Sequence, residues 1–308
     1  MGDNIVNSTG ELNELLIDCL LKQDKFDSVI ELLLPLVNQL PSSDDNFKII
    51  NYLISAYFYK SRYAKVIEYS FHMLTQAIEA NDYKYVARSY FVLASAYKQV
   101  MNYPKALYYG KQALDAYQRL GDREHIAYSH NTLSGIYVDT NNLVLAKYHL
   151  TKAFKGAKLM PHATRITLAF NLAAWKLDIN EVDEAIQILE ENLIEATTLS
   201  SQRILAQGYY ELARAYEMNG NYLESKNLLY QMLHIHEVIQ DKFELSRCYK
   251  KLALLDEKLG NYQAAYLALK QHTQLRRELN VNENYIHSDQ LEKKIPIQET
   301  YKIDSLMY

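Results

Sequence analysis

Two cysteines, five prolines, one tryptophan and nine glycines are spread over 308 residues. Each shortage excludes something. Cys19 and Cys248 stand near opposite ends of the chain, so they make no disulfide framework, and lone thiols point to a reducing compartment, here the cytoplasm. So few prolines and glycines suit an almost wholly helical chain. No apolar run approaches the roughly 18 residues that a membrane-spanning helix needs, so no membrane association is expected. The opening MGDNIVNSTGELNELLIDCLL has no basic region and no small-residue cleavage site, so it does not read as a signal peptide. Val6 stands where a myristoylation signal would carry Ser or Thr. The sequon at Asn7-Ser8-Thr9 has no consequence in a cytosolic chain. The net charge is −4 with acids and bases intermixed, and no basic stripe invites nucleic acid. Catalytic signatures are missing too. There is no HExxH, no paired CxxC and no phosphate-binding GxxxxGK[ST]. No serine sits in a nucleophile elbow. His234 and His236 are two apart and point to different faces of a helix, so they cannot share a metal. The expectation is a non-enzymatic protein with no cofactor and no metal.

What the chain has in quantity is tyrosine, 27 of them, and a pattern that places them. From Ala87 to Ala113 the sequence reads ARSYFVLASAYKQVMNYPKALYYGKQA. Tyr90, Leu93, Ala94 and Tyr97 recur at spacings of three and four, one face of a helix; Tyr103, Ala106, Leu107, Gly110 and Ala113 form a second such face. Met101-Asn102-Tyr103 separates them, and Asn102 is expected to take the left-handed conformation that stops the first helix. Small residues at Ala94 and Ala106 would let two antiparallel helices cross closely.

The pattern repeats. Its leucine slot holds Leu16, Leu53, Leu93, Leu133, Leu172, Leu212 and Leu252, so there are seven copies, and in five of them alanine or serine follows. Gly220-Asn221-Tyr222 and Gly260-Asn261-Tyr262 supply two further turns. A periodicity of this kind marks a solenoid, in which each repeat packs only on its neighbours. Most tyrosines fall in its two aromatic slots and should be inter-helix packing. His130, which occupies one of those slots, is expected to pack as well.

These residues resemble the tetratricopeptide repeat (TPR) family, whose pattern pairs a leucine, a small residue and a tyrosine in the first helix with spaced alanines in the second. The resemblance runs from about Glu11 to Asn280. It implies an all-α, right-handed superhelical solenoid of about seven helix-turn-helix repeats with a C-terminal capping helix. The spacing is about forty residues against the family's roughly thirty-four, and the proline that usually ends the second helix is missing. Long-repeat arrays of this type resemble bacterial TPR sensor and regulator modules and adaptors of motor and spindle proteins.

The expected organisation is a disordered N-terminus over residues 1–10 and repeats at about 11–40, 47–79, 84–119, 124–159, 163–199, 203–239 and 243–279. A capping or linker helix follows at 281–308. Ala80-Asn81-Asp82 and Leu120-Gly121-Asp122 should end one helix and cap the next. The very apolar second helix of the first repeat raises the prospect of a homodimer through a terminal repeat.

In the resembling family the first helices of the repeats line a concave face that holds a peptide or partner. In this sequence that row would present Asn51 and Ser55, then Arg88, Phe91, Ser95 and Lys98. It continues through Tyr128, Asn131 and Gly135, then Phe170 and Ala174, then Tyr210 and Arg214, and ends at Arg247 and Lys250. Asparagine amides can pair with both the donor and the acceptor of a peptide backbone. Aromatic rings offer rigid pockets, and arginine can grip a carboxylate at two points. The lysine–asparagine pairing of the family's two-carboxylate clamp is not matched in adjacent repeats, so that specificity is not carried over. The functional expectation is a peptide- or protein-binding module, the sensory or regulatory part of a bacterial signalling protein; the alternative is a stand-alone scaffold.

Overall fold

The computed structural model describes residues 14–23, 25–37, 44–157, 161–199 and 201–279. The expected disordered start and C-terminal capping helix lie outside them. The described residues form fourteen α-helices and no strand. They fall into two compact units, one running to Asp122 and one from Arg123. In the first unit α1 (Glu14–Lys22) pairs with α2 (Phe26–Leu33), α3 (Asp44–Tyr59) with α4 (Tyr63–Glu79), and α5 (Tyr83–Gln99) with α6 (Tyr103–Leu120). In the second, α7 (Arg123–Asp139) pairs with α8 (Leu143–Gly156) and α9 (His162–Asp178) with α10 (Val182–Thr197). The last two hairpins are α11 (Gln202–Met218) with α12 (Tyr222–Val238) and α13 (Lys242–Lys258) with α14 (Tyr262–Leu279). Each unit is a run of helical hairpins stacked on their neighbours, an all-α repeat solenoid.

One turn closes six of the seven hairpins. Ser61, Met101, Asn141, Asn180, Gly220 and Gly260 all adopt left-handed backbone, with φ between 55° and 79°. The next residue then reaches back. The amide of Asn102 donates to the carbonyl of Tyr97 at 2.9 Å, and those of Asn142 and Asn221 to Tyr137 and Tyr216 at 2.8 Å. This is the six-to-one bond that satisfies a carbonyl left over at a helix end. Here the sequence expectation needs correction: Met101, not Asn102, carries the positive φ. Asn102 instead sits one residue later with φ −86°, and its side chain accepts from the amide of Lys105 to cap α6. Asn142 caps α8 in the same way. An asparagine suits either position; the cap won because it satisfies an N–H that the helix cannot. At Asn81-Asp82 the expected pair holds, with left-handed Asn81 and an Asp82 carboxylate that accepts from the amides of Lys84 and Tyr85.

The carbonyl that receives the six-to-one bond belongs to the tyrosine slot, whose ring packs across the hairpin. Tyr57 stacks on Tyr69 and Tyr97 on Tyr109, each at 5.6 Å between centroids and 8° between planes. Tyr137 stacks on His149 at 5.3 Å and 23°. Between α5 and α6, Tyr90 and Tyr108 also touch Tyr109; between α7 and α8 their counterparts, His130 and Tyr148, touch His149. A buried histidine pair, Nδ1 to Nδ1 at 2.9 Å, thus replaces a tyrosine pair, and His130 packs as its slot suggested. Two slots depart further. Lys176 reaches the carboxylates of Glu181 and Glu184. Asp256, buried, takes the ammonium of Lys226 from α12 and the side-chain amide of Asn261.

Small residues set the closest approaches. A Cβ on Gly156 of α8 would lie 2.5 Å from the Cβ of Ala127 on α7. Neither atom can rotate away, so Gly156→Ala must push the helices apart. A loss of about 1–3 kcal/mol is expected, read as a lower melting temperature by circular dichroism; an unchanged or raised one would contradict this packing.

Candidate functional site

The expected ligand row divides between the two units, and each part has its own construction. In the first unit, α3 and α5 stand side by side. The Nε of Arg88 donates to the Oδ1 of Asn51 at 2.9 Å, and its guanidinium lies 5.8 Å from the Phe91 ring centroid. The hydroxyls of Ser55 and Ser95 donate to the carbonyls of Asn51 and Phe91 four residues back on their own helices. That local bonding satisfies the hydroxyl of a serine placed mid-helix. These residues and Lys98 are all partly exposed.

In the second unit the row is longer. The hydroxyl of Tyr128 donates to Glu124 at 3.1 Å and lies 3.4 Å from the Thr164 hydroxyl. Then three amides from three consecutive first helices join hands. Gln207 on α11 donates to Asn171 on α9 at 3.3 Å, and Asn171 donates to Asn131 on α7 at 2.8 Å. All three are partly exposed. Each link uses one of the four hydrogen-bonding sites of an amide at either end. The ladder is therefore held in register and still has N–H and C=O capacity left to offer.

Phe170 is not part of this surface. It is fully buried, in a cluster with Ile166, Leu177, Leu189 and Leu212. The cause lies on the next first helix, where Gly208 leaves a gap. A Cβ there would stand 2.7 Å from the Phe170 ring and 2.7 Å from a Leu193 methyl. The ring turns into the gap, and the exposed position passes to its neighbour Asn171. Sequence reasoning missed Asn171 and Gln207. The repeat gave no signal for the first, because the interval across this step is thirty-nine and sets Phe170, not Asn171, opposite Asn131.

Beyond the ladder the row becomes charged. Arg214 bonds the carboxylates of Glu211 at 2.7 Å and Asp178 at 2.9 Å. Burial pushes the Glu211 carboxyl above its ordinary range, and Arg214 opposes the shift. Burial works against the charge of Arg214 as well, but the two carboxylates hold its proton all the more firmly. On α13, Arg247 bonds Glu244 at 2.9 Å. The guanidinium of Arg247 and the ammonium of Lys251 lie 5.4 Å and 5.9 Å from the centroid of the Tyr210 ring, a cation–π arrangement. Lys250 is exposed.

Among the described residues no group of three or more His, Cys, Asp or Glu side chains comes together to hold a metal ion. No described helix is long and apolar enough to cross a membrane.

No family model matches the chain, and none of the curated proteins does. Solved structures do. A Rap protein complexed with Competence and Sporulation Factor superposes with a TM-score of 0.66 over 88% of this chain and 78% of that one, at 14% identity. The apo form of RapI gives 0.64 over 86% and 96%, at 12% identity. BtubC (BKLC) from P. vanneervenii gives 0.51 over 70% and 91%, at 18% identity. Together with the hairpin geometry these likenesses decide the architecture. The chain has a tetratricopeptide-repeat fold. In TPR terms α1, α3, α5, α7, α9, α11 and α13 are the first helices of the hairpins, and all the residues of the row described above lie on them.

Proposed function

We propose that this TPR chain is a non-enzymatic recognition module that binds a peptide or a protein segment along its first helices, and that it serves as the sensory or regulatory part of a bacterial signalling protein. The observation that carries the reading is the amide ladder Asn131–Asn171–Gln207. Side-chain amides tied together across three hairpins are ordered in advance, so a bound strand would not have to pay for fixing them. An extended peptide presents alternating N–H and C=O groups, the complement of what the ladder has left. The likeness to a Rap protein solved with Competence and Sporulation Factor supports recognition of a partner by a fold of this kind. The free thiols of Cys19 and Cys248 suit the reducing cytoplasm in which the reading places the chain.

A display library of random short peptides tests it. Peptides enriched on the protein should bind Asn171→Ala about tenfold more weakly, since the change removes the middle of the ladder and strands its two neighbours. Asn171 is partly exposed, so the fold should keep its helicity. Equal binding by the variant would sink the assignment of this face. Hydrogen exchange separates regulator from scaffold: protection spreading to hairpins beyond the contact is the regulatory outcome, and protection confined to the contact is the scaffold outcome.

A further inference from the structure

Charge is segregated on two second helices of the second unit. α8 carries Lys147, Lys152 and Lys155 and no acid. α10, one hairpin further on, carries five acids and no lysine or arginine. The second helices α4, α6, α12 and α14 each mix both signs. Among the described residues none of the three lysines meets a carboxylate, and on α10 only Glu184 meets a lysine, Lys176. Like charges three or four apart on one helix repel, so each face carries a cost that an opposite face would relieve. Apolar side chains lie uncovered among these charges. Val144 on α8 is 80% exposed and Tyr148 52%, and Ile194 on α10 is 72% exposed.

The two helices start at one level. At the end of α9, the Nε1 of Trp175 donates to the carbonyl of Leu143, the first residue of α8, at 3.2 Å. The next residue, Lys176, reaches Glu184 in the first turn of α10 at 2.7 Å. A surface with one positive and one negative half, side by side, is complementary to itself under a two-fold rotation. We infer that the outward faces of α8 and α10 are an interface with a second copy of this chain, with α8 of each copy lying on α10 of the other. The two-fold axis runs parallel to the helices and brings equal levels opposite each other. Counted from the left-handed turn residues Asn141 and Asn180, Lys152 and Glu191 both stand at the eleventh place. Lys155 and Glu195 stand at the fourteenth and fifteenth. The acids of α10 disfavour an anionic lipid surface as the occupant, since they would repel its headgroups. Two helix faces cover roughly 400 Å² per copy, the scale of weak, reversible complexes. The interface uses the fourth and fifth hairpins rather than a terminal repeat. It leaves the first helices open, so the inference does not rest on the proposed peptide recognition.

Sedimentation equilibrium of the full chain tests it. The expected result is a monomer–dimer equilibrium with Kd on the order of 10 µM, weakening as salt is added. Lys152→Glu and Glu191→Lys should each weaken it at least about tenfold, because the contact occurs twice in each dimer. Mixed together, the two variants should associate as the native chain does, since both contacts then pair opposite charges. Both side chains are exposed, so each variant should keep native helicity and melting by circular dichroism. A chain still monomeric at ten times that concentration would overturn the inference. So would a dimer that neither substitution disturbs, or two variants that do not rescue each other. Pelleting of native protein, but not of Lys152→Glu, with vesicles of phosphatidylcholine and about one third phosphatidylserine would assign α8 to a lipid surface and overturn it as well.

Discussion

Phe170→Ala is expected to destabilise the second unit by about 3–5 kcal/mol, the cost of emptying a buried aromatic site. The ring is wholly buried, with Ile166, Leu177, Leu189, Leu212 and Ala215 in the same cluster. A surface aromatic lining a groove would cost well under 1 kcal/mol on the same change, so urea unfolding followed by circular dichroism separates the two placements. Gly208 sharpens the test. Alone, Gly208→Ala drives a methyl to within 2.7 Å of the Phe170 ring and of a Leu193 methyl, and should cost about 1–3 kcal/mol by overpacking. In the Phe170→Ala background the new methyl enters the vacated space. There the substitution should be neutral or favourable, since alanine is about 1 kcal/mol the better helix former. Coupling of opposite sign to the two single losses is the expected result of the double-mutant cycle; simple additivity would mean that the ring and the glycine do not meet.

Acid should loosen the fold well above the range where carboxylates protonate. Burial lowers His130 from its ordinary 6.5 to about 4, helped by His149 and Lys152. Burial lowers His236 likewise to about 4; Asp241 opposes the shift, and Arg203 and Arg247 assist it. The unfolded chain takes up these protons below about pH 6.5, while the folded chain resists them until about pH 4. Stability present above pH 6.5 therefore drains away as the pH falls toward 4, and no further loss comes from these groups below that. The limit is about 3 kcal/mol for each histidine. The preceding hairpin in the sequence suggests the control. Tyr90 and Tyr109 occupy in α5 and α6 the places that His130 and His149 hold in α7 and α8. Changing His130 and His149 to tyrosine should remove this pair's share of the loss between pH 6.5 and 4 and leave that of His236, with neutral stability kept within about 1 kcal/mol. An unaltered profile would show that this pair takes up no proton on unfolding.

The architecture was legible because it depends on side chains that do the same work in every hairpin. Leu53, Leu93, Leu133, Leu212 and Leu252 are all buried, with only Leu172 partly exposed, and a leucine repeated at one interval needs no knowledge of its neighbours to be recognised. The turns were half legible. A left-handed residue was needed, but the sequence reading assigned it to Asn102 when the exposed Met101 takes it; asparagine's second talent, capping, decided the matter. The candidate site was less legible because it depends on pairs of helices. Nothing in α9 alone says that Phe170 turns inward; the reason is a missing side chain at Gly208 on α11.

The shared turn also bears on how the length of such a chain can change by insertion and deletion. The left-handed residues that close the hairpins fall at 61, 101 and 141, then at 180, 220 and 260, so every interval between them is forty except the one between Asn141 and Asn180, which is thirty-nine. The residues from the leucine slot to the turn keep one count on both sides of that step, Leu133 to Asn141 and Leu172 to Asn180. The shorter interval was thus absorbed elsewhere, between the turn at Asn141 and the middle of α9. A codon lost inside the first helix or its turn would rotate every later side chain of the hairpin by about 100° and break the six-to-one bond. The passages between hairpins at Asn81, Gly121 and Gln240 carry the same left-handed residue and six-to-one bond, so a codon lost there has the same effect. Inherited length variation, and any engineered insertion, should therefore spare these nine left-handed turns and gather in the other passages between hairpins.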